Sequence, residues 1–107
     1  MRSLIPESSN STLRELQSEV VSWANGLMPD RTPEEAFRKL MEEEIEEMKK
    51  APTDAMEYAD AVIILLDLAY LLGIDIVEAV RSKMEINRNR KWKIENGLFK
   101  HVKGGAE

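Results

Sequence analysis

The chain has no cysteine, and that absence removes disulfides, thiolate zinc sites and cysteine nucleophiles together. An intracellular, cytoplasmic location is the natural default for such a composition. Histidine occurs once, as His101 near the end of the chain. A ferritin-like di-iron site needs Glu-x-x-His pairs on helices, so that reading fails. No glycine-rich phosphate loop and no G-x-S-x-G elbow are found. The first residues, MRSLIPESSN, lack the apolar core of a signal peptide. The longest apolar run, Ala61–Ile74, carries Asp67 and is short for a bilayer span, so a buried helix is expected there. The chain also lacks a basic excess: its formal net charge is −5. Neither duplex nucleic acid nor an anionic membrane is therefore an expected partner.

What is present reads as one all-α domain over residues 1–107, with 1–9 and 103–107 loosely ordered. The 107 residues are 43% hydrophobic and 33% charged, a globular composition. No strand-like alternation stands out. Helices are expected over about 11–28, 33–50, 54–72 and 76–90, arranged as a four-helix antiparallel bundle. Leu13, Leu16, Val20, Trp23 and Leu27 recur at helical spacing, with Asn10 or Ser11 as cap. TPEE at Thr32–Glu35 is a capping box with proline at the first helical position. Gly73 suits the end of the apolar helix. In the tail, Leu98, Phe99 and Val102 are candidates to dock on the body or on a partner.

The informative stretch is EEEIEEMKKAPTDAMEYAD, Glu42–Asp60. A short Pro-containing break makes its two halves an antiparallel helix hairpin. In such a hairpin, residues at one level have a constant number sum. Glu47 and Glu57 give 104, and so do Glu44 and Asp60. Each helix thus offers an i,i+3 acidic pair to the other. Two carboxylates about 5 Å apart repel by roughly 3 kcal/mol at an effective dielectric of about 20. Four on a core-facing seam require a cation or a proton. An all-carboxylate donor set favours Mg²⁺, with Mn²⁺ as the alternative, and Mg²⁺ sites commonly share phosphate ligands. Acidic runs on helices are usually solvated faces, and Glu42, Glu43 and Glu46 are assigned to that surface. Asp67, one heptad after Asp60, orients a ligand, binds a second ion, or is a buried Asp paired with a Lys or Arg of a neighbouring helix. Lys83, Asn87 and Arg90 share one face of the fourth helix and suit a polyphosphate. Trp23 is a candidate to stack on a base, against the commoner role of an aromatic in a core, and Trp92 is a candidate to close a pocket.

KLMEEEIEEM, EYADAVIILLDLA, GID and KMEINRNRKW, in this order, resemble the MazG-like all-α nucleoside triphosphate pyrophosphohydrolases. The resemblance runs from about Trp23 to Trp92. The family's E-x-x-E, E-x-x-D and K-x-x-x-N-x-x-R patterns fall on Glu44/Glu47, Glu57/Asp60 and Lys83/Asn87/Arg90. Glu43/Glu46 satisfies the first spacing as well. Glu44/Glu47 is preferred because Met48 then takes the apolar place after the motif. The spacer between Glu47 and Glu57 is nine residues, short for the family. The resemblance implies Mg²⁺-dependent hydrolysis of a (deoxy)nucleoside triphosphate to the monophosphate and pyrophosphate. It makes Glu44, Glu47, Glu57 and Asp60 the metal ligands, Glu44 or Glu47 the base, and Lys83, Asn87 and Arg90 substrate contacts, to which the separate reading of Trp23 adds a base-stacking candidate. It also implies a homodimer or homotetramer. A phosphoribosyl-ATP pyrophosphohydrolase and a non-catalytic helical adaptor are the competing readings.

Overall fold

Two threonine capping boxes set the first two helices. A computed structural model describes residues 12–102. In it Thr12 accepts from the Glu15 N–H while Glu15 bonds back to the Thr12 N–H, and α1 runs Leu13–Leu27. The cap is therefore Thr12. The expected caps Asn10 and Ser11, and the segments expected to be loose, 1–9 and 103–107, lie outside the described residues. Thr32 and Glu35 repeat the arrangement for α2, Pro33–Lys39. A π-helical turn, Leu40–Glu44, continues α2 into α3, Ile45–Lys50. The expected single helix over 33–50 is thus one rod with a widened turn in its middle.

Ala51–Asp54 reverses the chain. The Asp54 N–H bonds to the Ala51 carbonyl at 3.0 Å, and the Asp54 carboxylate caps α4, Ala55–Leu71, through the Met56 N–H. Helix α4 ends in a Schellman motif. Ile74 N–H reaches the Ala69 carbonyl and Gly73 N–H the Tyr70 carbonyl, with Gly73 at φ 70°. A side chain at Gly73 would meet strain in that left-handed conformation.

Backbone contacts divide the chain into two compact units, Met1–Asp75 and Ile76–Glu107. In the first, α4 is the shared wall: α1 packs on it, as do α2, the π-turn and α3. Val20, Val21 and Ala24 of α1 and Ala61, Leu66, Leu68 and Ala69 of α4 form the buried core. Gln17 donates to the Leu66 carbonyl at 2.8 Å and ties the two helices together. In the second unit, α5 covers Ile76–Asn89 and is followed by an antiparallel hairpin, β1 Trp92–Glu95 and β2 Leu98–His101.

The hairpin corrects the expectation of a strand-free chain. Its signal is Asn96-Gly97, both at positive φ (54° and 76°), the pair that a two-residue hairpin turn demands. Trp92, Ile94, Phe99 and His101 fall on one face by register. Four-residue strands are too short for alternation to stand out, so the turn, not the period, carried the information. Among the described residues no helix is long and apolar enough to cross a membrane.

Leu66 is 4% exposed in the buried core. Leu66→Ala should cost about 2–5 kcal/mol of stability, read as a lowered urea midpoint with unchanged slope.

Candidate metal and nucleotide site

The geometry of the site starts in the backbone of the π-turn. Its closing bond runs from the Ile45 N–H to the Leu40 carbonyl, an i→i+5 step that inserts one residue into the helix. In an α-helix, residues five apart point in different directions. Here Lys39 reaches both Glu43 (3.0 Å) and Glu44 (3.1 Å), at i+4 and i+5. The same widening turns Glu44 inward, where only 3% of it is exposed. Lys39 gains from both partners: the Glu43 bond, then the Glu44 bond, raise its ammonium above the ordinary lysine value.

Glu44 is common to two carboxylate clusters. Oxygens of Glu43, Glu44 and Glu47 lie within 4.8 Å of one another, and so do oxygens of Glu44, Glu57 and Asp60. The four ligands expected from the hairpin register are therefore brought together, from α3 and its π-turn on one side and α4 on the other. Glu43 keeps the exposed position expected of it, and one of its oxygens completes the first cluster. The signal missed was the π-turn, which counting at helical period from Glu44 does not reveal.

The carboxylates fit a hard divalent cation on two observations. Oε1 of Glu44 and Oε2 of Glu57 are buried without a hydrogen-bond partner among the described residues. Such atoms are costly unless a ligand satisfies them. Glu57 is also pushed above its ordinary value of 4.5, first by partial burial, then by the charges of Glu47, Asp54, Asp60 and Glu44. An all-oxygen donor set of this kind suits Mg²⁺ or Mn²⁺.

The carboxylates open onto a cleft of about 870 Å³ that lies wholly within the first unit. Glu43, Glu44, Glu47 and Asp60 line one end; Val20, Trp23, Ile63, Ile64 and Leu71 supply apolar wall. Trp23 is 60% exposed, so its ring is available to a ligand instead of being spent in the core. Asp67 lines the same cleft and is paired with Arg31. Nε to Oδ2 is 2.6 Å and Nη2 to Oδ1 is 2.7 Å, a two-pronged contact. The ion pair read for Asp67 is formed, with a partner from the α1–α2 connection and not from a helix. Arg31 also donates through Nη1 to the Met28 carbonyl at 3.1 Å.

Lys83 and Asn87 lie on α5, and Arg90 follows its last turn. Asn87 is half-buried, with its Oδ1 lacking a hydrogen-bond partner among the described residues and its Nδ2 near Met84 Sδ at 3.9 Å. The Trp92 indole donates to the Asn87 carbonyl at 2.8 Å, which ties the hairpin to α5.

An E-x-x-E helix packed antiparallel against an E-x-x-D helix, in an all-α fold with a cleft for a nucleotide, defines a MazG-like pyrophosphohydrolase. A family model described as dATP/dGTP pyrophosphohydrolase matches residues 16–106, and the chain belongs to that family. It is a hydrolase acting on the acid anhydrides of nucleoside triphosphates. The dATP/dGTP diphosphohydrolase of Cyanophage S-2L is 44% identical over 97 residues, 88% of this chain and 91% of that protein. The dATP/dGTP diphosphohydrolase of Salmonella phage PMBT28 is 44% identical over 92% of this chain, which spans 34% of that longer protein. Among solved structures, the fold matches the Cyanophage S-2L MazG-like pyrophosphohydrolase bound to dGDP and three catalytic Mn²⁺ ions per active site. The TM-score is 0.78 at 44% identity, over 87% of this chain and 99% of that one. The non-catalytic adaptor reading falls with this membership.

Because its value is raised in the folded state, Glu57 takes up a proton more readily in the native protein than in the unfolded chain. The cost of charging it is absent below the ordinary value of 4.5 and complete once pH has passed the raised value. Without divalent metal, the protein should lose stability across that rise. Glu57→Gln should remove this component and leave the metal-free protein more stable at neutral pH. Urea midpoints against pH in EDTA test it; parallel curves for the two proteins would contradict it.

Proposed function

We propose that the protein hydrolyses a purine deoxynucleoside triphosphate to the monophosphate and pyrophosphate, with Mg²⁺ as cofactor and Mn²⁺ able to replace it. The observation that carries this reading is the convergence of Glu44, Glu47, Glu57 and Asp60 beside a nucleotide-sized cleft, with one oxygen each of Glu44 and Glu57 buried and without a partner among the described residues. The purine and deoxyribose preference is supported by the relatives, which are named for dATP and dGTP, and by the dGDP in the S-2L structure.

Glu44, Glu47, Glu57 and Asp60 would hold the cation, with Glu43 beside them. When bound, a hard cation polarises phosphoryl oxygens and neutralises their charge. The chain's own groups do the rest. Glu44 or Glu47 orients the attacking water and accepts its proton. Lys39 balances Glu43 and Glu44, so fewer negative charges face the incoming phosphates. Trp23 offers a flat apolar surface to the base. Lys83 and Arg90 are the groups proposed to neutralise a polyphosphate, and Asn87 to contact sugar or phosphate, on the strength of their K-x-x-x-N-x-x-R spacing in the sequence. The apolar wall of the cleft excludes water around the base and strengthens the electrostatics at the phosphates.

Self-association belongs to the same reading. Tyr58, Val62 and Leu65 on α4, and Leu72 at its C-cap, recur at helical spacing, and each is 45–47% exposed. A stripe of this kind on a central helix supports a homodimer or homotetramer. Val62→Lys with Leu65→Lys should shift the protein to monomer in light scattering if α4 forms that interface.

The direct test is product analysis on a panel of NTPs and dNTPs with Mg²⁺ or Mn²⁺. The wild type should release pyrophosphate from dGTP and dATP. Asp60→Asn should lower turnover by about 10²–10³-fold, the scale for losing one group that holds transition-state charge. Equal rates for the two proteins, or orthophosphate in place of pyrophosphate, would overturn the assignment.

A further inference from the structure

Asp67 is used by nothing in the mechanism above, yet it is 9% exposed and opens on the nucleotide cleft. It follows Asp60 by seven residues on α4. At 100° per residue the two lie about 20° apart around the helix, and at 1.5 Å per residue about 10.5 Å apart along it. One face of α4 therefore presents a carboxylate at the metal end of the cleft and a second carboxylate at the far end. That separation matches the reach of a nucleotide from its α-phosphate to the outer edge of its base.

An ionised carboxylate has about four acceptor positions. Arg31 occupies two, one on each oxygen, and so fixes the plane of the group. One position on each oxygen is left. The pair is neutral as a whole, which suits its apolar surroundings of Ile63, Ile64 and Leu71. Arg31 is tied down in turn by the Met28 carbonyl, at 3.1 Å. The acceptors therefore cannot swing away, and Trp23 flanks the same space.

Resting on the nucleotide reading above, we propose that Asp67, oriented by Arg31, is the base-reading residue: its two remaining acceptor positions take the paired donors N1–H and N2–H of guanine. Adenine offers only its N6 amino group at the corresponding edge, so guanine is preferred over adenine. A fixed polar group meeting a base edge discriminates against analogues that lack the donor, because its acceptors are then left unpaired in a dry site.

The test compares dGTP with dITP, which lacks the 2-amino group, and with N1-methyl-dGTP, using wild type, Asp67→Asn and Arg31→Lys. For the wild type, kcat/KM should fall by about ten- to hundredfold for each analogue, mainly through KM, as expected for a hydrogen bond to a charged group. Asp67→Asn should bring dGTP and dITP within about twofold of each other while keeping the metal-induced rise in Tm. Arg31→Lys should keep the preference in part. Equal wild-type kcat/KM for dGTP and dITP, or an Asp67→Asn loss of the same factor on every nucleotide, would sink the base-reading role. Calorimetric titration of the wild type with dGMP and dIMP decides the matter apart from turnover. Tighter dGMP binding with no hydrolysis of any triphosphate would overturn the hydrolase reading and leave the base assignment standing; equal binding would overturn the base assignment.

Discussion

The rest of the structure is organised around the repulsion of like charges on one seam. Glu44, Glu47, Glu57 and Asp60 are driven together by the short turn at Ala51–Asp54 and by the packing of α3 and α4 on each other. Nothing in that arrangement favours the metal-free fold. The hydrophobic contact of α1 with α4, through Val20, Val21, Ala24, Leu66, Leu68 and Ala69, offsets it. Lys39 supplies a partial remedy from within the seam's own helix. Stability is thus given up at the place where binding recovers it, the usual relation between a preorganised ion site and its ligand.

Two ion pairs divide the cleft. At one end Lys39 leaves carboxylate oxygens free to bind, because a single ammonium cannot satisfy Glu43, Glu44 and their neighbours. At the other, Arg31 matches Asp67 atom for atom and orients it. The difference follows from the chemistry of the two cations. Lysine is a compact point charge on a flexible stem, whereas a guanidinium is a rigid fork. The cleft accordingly has one end where charge is unresolved and one where it is neutral and oriented, with apolar wall between them. That polarity matches a nucleotide, whose phosphates are charged and whose base carries directional donors.

Much of this was legible in the chain. The TPEE start, the Pro-containing break, the apolar run and Gly73 placed the helix hairpin, and the constant number sum paired Glu47 with Glu57 and Glu44 with Asp60. Those are local or nearly local facts: caps, turn chemistry and a helical period acting over short separations. The strands Trp92–Glu95 and Leu98–His101 were missed because the Asn96-Gly97 signal was outweighed by segments too short to alternate. That an oxygen of the exposed Glu43 also reaches the Glu44 and Glu47 cluster went unseen because a uniform helix was assumed across Leu40–Glu44.

The sequence by itself determined the helical class, the acidic hairpin and the identity of its four facing carboxylates, since each depends on neighbours in the chain. Tertiary structure decided what depends on distant ones. It chose Arg31 as the partner of Asp67 across 36 positions, left Trp23 open to the cleft and not in the core, and widened the helix at Glu44 so that its carboxylate turned inward. The physical reason is the same in each case. A period says which face a residue occupies, but only packing against α4 says what that face meets.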